Sequence, residues 1–121
     1  MTEATTPKIH QVEGVSVIEL GAEYENLDES ALDELRDVIL KVVEDADPPK
    51  VVLDLSHTQF FGSSFIELIF RAWNRSQAKE GGEFVISGLT EYCREVIAIT
   101  HLDRLWKLYD NVDAAVADLK P

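Results

Sequence analysis

The stretch Lys50-Val-Val-Leu-Asp-Leu-Ser-His-Thr-Gln-Phe-Phe-Gly-Ser-Ser-Phe-Ile-Glu67 decides how this chain folds. Val51, Val52, Leu53 and Leu55 form a nearly continuous apolar run, the pattern of a strand covered on both faces. A polar break at Ser56-His57-Thr58-Gln59 and the pair Phe60-Phe61 follow, and the chain turns at Gly62. Ser63 and Ser64 then open a helix, with Ile66, Ile69, Phe70 and Trp73 as its apolar face. Ser64 and Glu67 have the S-x-x-E spacing of a capping box, in which each side chain satisfies an orphan amide of the first turn. A helix mouth also offers free N–H groups and the positive end of the dipole, which favour an added anion.

Toward the N-terminus, residues 1–7 are polar, end in Pro7 and read as a flexible tail, leaving 8–121 as one domain. Ile9 to Val12 and Val15 to Leu20 read as a hairpin closed by Glu13-Gly14, and residues 21–26 as a loop. Leu32, Leu35, Val38, Ile39, Val42 and Val43 predict a helix, capped by Asp28 or Ser30 and ended by Asp47-Pro48-Pro49. Beyond the central stretch, Gly81-Gly82 stops the second helix and Phe84-Val85-Ile86 is a buried strand. Thr90 can cap a third helix, with Tyr92, Val96, Ile97 and Ile99 apolar. Trp106 to Tyr109 reads as the last strand, and Asp110 or Asn111 caps a final helix with Val112, Ala115, Val116 and Leu119 on one stripe. The order ββαβαβαβα predicts an α/β domain, a mostly parallel mixed sheet with covering helices.

The 121 residues suffice for one core, and no apolar run reaches the roughly 18 residues of a bilayer span. The N-terminus carries no secretory pattern, and the lone Cys93 fits a reducing compartment, so a cytoplasmic location is expected. A net charge of −12 opposes binding to a phosphate backbone, so no nucleic-acid partner is expected.

His10, His57 and His101 share no ligand spacing with each other or with Cys93, so no metal is expected, nor any other cofactor. No G-x-S-x-G elbow surrounds Ser64, which leaves a serine hydrolase as an outside alternative to a non-enzymatic protein. Asp54 is read as accepting hydrogen bonds from loop amides or hydroxyls and so holding the turn before Ser63. Periodicity puts one of Phe60 and Phe61 in the core, and Phe65, at an exposed first turn, is the candidate to face a partner. Arg71, Arg75 and Lys79, at i, i+4 and i+8, read as a solvated face.

From about Lys8 to Leu119 the chain resembles the STAS domain, the fold of bacterial anti-sigma-factor antagonists and of the cytoplasmic tails of sulfate transporters. The resemblance rests on element order, on Val51-Val-Leu-Asp-Leu-Ser56 as the central strand, and on Leu102-Asp103-Arg104-Leu105 after the third helix. Gly62-Ser63-Ser64-Phe65 falls where antagonists carry Asp-Ser-Ser/Thr-Gly. The resemblance implies phosphorylation at Ser64, with Ser63 as the fallback, by a partner that is both anti-sigma factor and serine kinase, and resetting by a serine phosphatase. Gly62, Ser63, Ser64 and Phe65 would form the partner-binding surface, supported by Asp54 and Glu67. Here Gly62 replaces the motif's acid and Phe65 its glycine, so a constitutive interaction or scaffold subunit, for example the partner of a lipid or anion transporter, is the alternative. Monomer against dimer stays open.

Overall fold

A computed structural model describes residues 7–120; the tail expected over 1–7 lies outside it except for Pro7, which is buried. Strand β1, Lys8–Val12, and β2, Val15–Glu19, form the expected antiparallel hairpin. Its two turn residues, Glu13 and Gly14, both take positive φ (49° and 83°), the left-handed geometry that matches the twist of a tight hairpin. A short 3-10 turn at Ala22–Tyr24 leads to β3, Asn26–Leu27, and helix α1, Glu29–Asp45. Asp28 caps α1 by accepting from the Ala31 amide at 3.0 Å. That bond and the Ser30 hydroxyl hold the Asp28 carboxyl below its usual pKa.

Strand β4, Lys50–Asp54, is followed by β5, Phe60–Phe61, and helix α2, Ser63–Gln77. Then come β6, Glu83–Ser87, and α3, Glu91–Ile99, capped by Thr90. Strand β7, Leu108–Tyr109, and α4, Val112–Leu119, capped by Asn111, complete the chain. The main sheet has the order β1-β2-β4-β6-β7, and every pairing except β1–β2 is parallel. This is the mixed α/β architecture expected from the alternation of strands and helices.

Strand alternation divides the interior into two cores. Ile18, Val51, Leu53, Phe84 and Ile86 point to the face covered by α1, α2 and α3. Val15, Val17, Val52 and Val85 meet Ala115, Val116 and Leu119 of α4 on the other face. The apolar run of β4 is thus buried from both sides, as its composition requires.

Two readings of the elements need correction. The loop expected over residues 21–26 contributes β3, which pairs in parallel with β5 as a separate two-stranded ribbon. The expected strand Trp106–Tyr109 narrows to Leu108–Tyr109, because Trp106 is committed to the core beside Phe70, with ring centroids 6.4 Å apart.

The basic stripe that runs along α2 to Lys79, just past its end, is more than a solvated face. Arg75 pairs with Glu44 of α1, and Lys79 Nζ donates to the carbonyls of Val43 (3.2 Å), Glu44 (2.7 Å) and Ala46 (3.2 Å). Those carbonyls belong to the C-terminal end of α1, where a cation satisfies orphan acceptors and complements the dipole. The variant Lys79→Met keeps the aliphatic stem and removes the donors. It is expected to destabilise the fold by about 1–2 kcal/mol in urea denaturation; an unchanged midpoint would contradict the bracing role.

Candidate functional site

The site lies beyond the C-terminal end of β4, where a buried strand must turn outward into α2. The backbone of that loop is anchored from several sides. Asp54 is buried and accepts from the Ser56 amide at 3.1 Å and the Ser56 hydroxyl at 3.3 Å. Gly88 lies against it: a Cβ there would stand 2.9 Å from Asp54 Oδ1, and its φ of +73° also favours glycine. Thr58, wholly buried, donates its hydroxyl to the Tyr24 carbonyl at 3.1 Å. The amides of Gln59 and Phe60 both donate to the Glu25 carbonyl, at 2.7 and 3.1 Å. From α3, the Cys93 thiol reaches the carbonyls of Thr58 (3.6 Å) and Gln59 (3.5 Å), and burial pushes its pKa up. Cys93 is therefore a weak donor that ties α3 to the loop, not an activated nucleophile.

This anchored loop delivers Gly62 as the N-cap of α2, in an extended conformation and with no side-chain cap bond. Ser63 and Ser64 are the first two helical residues, exposed, and their backbone amides have no acceptor among the described residues. The expected capping box is absent. Ser64 lies two residues past the cap, so its hydroxyl is out of register with the amide it would need to reach. Glu67 instead stands 3.8 Å from Arg71, one turn on, as an exposed ion pair.

Phe65 also requires correction. It is 0% exposed, belongs to the core, and packs against Phe61 with ring centroids 5.3 Å apart and the planes tilted by 41°. The buried face of α2 is Phe65, Leu68, Ile69 and Ala72, rotated from the predicted face of Ile66, Ile69, Phe70 and Trp73. The spacing of Phe65, Leu68 and Ala72 carried that signal, but the larger rings at 70 and 73 overshadowed it. Of the predicted quartet, Gly62, Ser63 and Ser64 are together at the surface, and Phe65 lies beneath them.

The aromatic that does face outward is Phe60, 54% exposed, in edge contact with Tyr92 of α3 (5.5 Å), itself 52% exposed. Tyr92, Val96 and Ile99 lie at i, i+4 and i+7, one side of α3, and Ile99 is 76% exposed. The buried side of α3 holds Cys93 and Ile97 instead. Sequence reasoning grouped Tyr92 and Ile99 with Ile97 as apolar. Their exposure is a property of which side of α3 the Cys93 bonds turn inward. Among the described residues no group of three or more His, Cys, Asp or Glu side chains is placed to hold a metal, and no helix is long and apolar enough to cross a membrane.

A family model for the STAS domain matches residues 6–115. The chain belongs to the STAS domain family. An anti-sigma-factor antagonist (STAS) domain protein from Planctomyces limnophilus has 32% identity to it over 97% of this chain and 100% of that one, with a TM-score of 0.91. An anti-sigma factor antagonist from Mycobacterium paratuberculosis, 24% identical, covers 96% and 94% with a TM-score of 0.80. The Bacillus cell fate determinant SpoIIAA, in its phosphorylated form, is 17% identical over 94% and 99%, with a TM-score of 0.69. The last two likenesses show the shared fold alone.

Two positions of the Gly62–Phe65 segment differ sharply in what a substitution would meet. Gly62 has open space around it: an added Cβ would meet nothing within 4 Å. Gly62→Asp supplies the missing cap oxygen and a favourable charge, and is expected to stabilise the domain by about 0.5–1 kcal/mol at neutral pH. A lower thermal midpoint for that variant would contradict the N-cap assignment. Phe65→Ala empties a core position and is expected to cost about 3–5 kcal/mol in chemical denaturation. A loss under about 1 kcal/mol would return Phe65 to the surface.

Proposed function

We propose that this STAS domain is an anti-sigma-factor antagonist-like interaction switch that is not an enzyme. It docks an anti-sigma factor with serine-kinase activity through the first turn of α2 and the adjoining Phe60–Tyr92 surface. Phosphorylation at Ser64, with Ser63 as the fallback acceptor, turns docking off, and a serine phosphatase restores it. One observation carries the reading: two exposed serine hydroxyls begin a helix whose first amides are open, directly after an exposed aromatic edge.

The electrostatics support a switch that acts on the partner more than on the domain. A phosphoserine adds about −1.5 to −2 charge. At this helix mouth the open amides and dipole tolerate it, so the fold has no cause to rearrange. A docked surface has to desolvate that charge, which costs several kcal/mol when no counter-charge meets it. The 32% identical Planctomyces protein is an anti-sigma-factor antagonist (STAS) domain protein, which favours this class of partner.

A second reading has its own observation. Gly62 stands where the family motif has an acid, and removing that acid alters the charge a kinase meets beside Ser64. In this reading the same surface serves a constitutive scaffold subunit. Titration calorimetry with the cognate anti-sigma kinase tests the docking surface that both readings share, and transfer of phosphate to Ser64 by that kinase is the outcome only the switch predicts. Ser64→Asp is expected to weaken binding at least about tenfold, as is Phe60→Ala, while Ser64→Ala binds normally. Unchanged affinity for both Ser64→Asp and Phe60→Ala would reject this docking surface.

A further inference from the structure

At the opposite end of the sheet from Ser63 and Ser64, a groove of about 790 Å³ opens between β1 and the last turns of α1. It exists because β1 is an edge strand that extends past its cover: all five of its residues are exposed. The walls are apolar, from Ile9 on the strand, Val38, Val42 and Ala46 on the helix side, and Pro48. On the strand side Ser16, 5% exposed, accepts from Gln11 Nε2 at 2.8 Å, which leaves its own O–H to donate. At the rim Lys41 is held 3.3 Å from Asp45, and Asp47 makes no ion pair among the described residues. The groove lining therefore combines apolar side chains with two carboxylates and one ammonium, an excess of one negative charge, on a chain of net charge −12.

We propose that this groove binds a free cationic amphiphile, an apolar chain or ring system bearing an ammonium-type head. The volume lies within the roughly 300–1,000 Å³ of small-molecule sites. Burying an alkyl body against Ile9, Val38 and Val42 supplies the affinity, and Asp47 selects the charge of the head. A second copy of this chain fits less well, because it would bring a further −12 to an acidic rim. A free acid or anionic detergent is opposed because Asp45 and Asp47 outnumber Lys41 in the lining. Because Asp47 and the groove lie away from the α2 mouth, this site does not depend on the phosphoswitch.

The test titrates the full chain with decyltrimethylammonium and with decyl sulfate, each below its micelle concentration, by calorimetry and amide chemical shifts. The cationic probe is expected to saturate one site, with shifts centred on Ile9, Val42 and Asp47, and to bind at least about tenfold tighter than the anionic one. Tetramethylammonium, lacking the chain, is expected not to saturate. Gln11→Trp, which places a ring in the groove from the strand side, is expected to abolish binding, and Asp47→Asn to weaken it severalfold. Thermal melts report whether both variants fold. If Gln11→Trp is unfolded, the wild-type shift map decides. Absence of saturation, equal binding of the two detergents, or shifts centred elsewhere would overturn the proposal, as would full binding by a folded Gln11→Trp variant.

Discussion

Thr58 is the residue on which the geometry of the site depends. A strand buried on both faces ends at Asp54, and the chain must still bring polar backbone out to the surface. Wholly buried, Thr58 makes that passage by bonding inward, its hydroxyl to the Tyr24 carbonyl and its amide to the Leu55 carbonyl at 3.0 Å. An unsatisfied buried polar group there would cost about 1–3 kcal/mol. The neighbouring bonds to Glu25 and from Cys93 extend the same solution, so the loop is held by the 3-10 turn on one side and α3 on the other. The first turn of α2 inherits its position from this anchoring.

With the loop fixed, the division of labour among the aromatics follows. Phe61 and Phe65 point under the helix mouth and fill the core, while Phe60, one residue earlier on a strand, must point the other way. It meets Tyr92, whose direction is set by the inward bonds of Cys93 next to it. The serines are thus presented by a rigid support and bordered by exposed rings. A fixed support bordered by exposed rings suits the docking role proposed for it. The Cys93 thiol behind this surface is buried with a raised pKa and serves as a tether.

Much of the fold was legible because periodicity and turn chemistry agree along this chain. The doubly covered β4, the Glu13-Gly14 hairpin and the helices capped by Asp28 and Thr90 each have a local cause visible in the residues. The β3–β5 ribbon was not legible, since two residues on each strand are too few to establish a period and their pairing joins positions far apart in the chain. The site was legible as a place and misread in orientation. A serine followed three residues later by glutamate suggested a cap at Ser64, yet the helix begins two residues sooner, because Phe65 has to reach the core. That two-residue offset turns Phe65 inward and leaves the role of outward aromatic to Phe60. Tyr92 escaped notice because its exposure depends on a tertiary contact, the thiol of Cys93 against a loop more than thirty residues earlier.

The most direct measurement is a phosphopeptide map of residues 51–71 of the native protein, from cells sampled during growth and under stress. The account predicts phosphate on Ser64, with occupancy that changes between the two conditions. A segment unmodified at both Ser63 and Ser64 in every condition would contradict the switch and leave a STAS domain whose docking surface is permanently open.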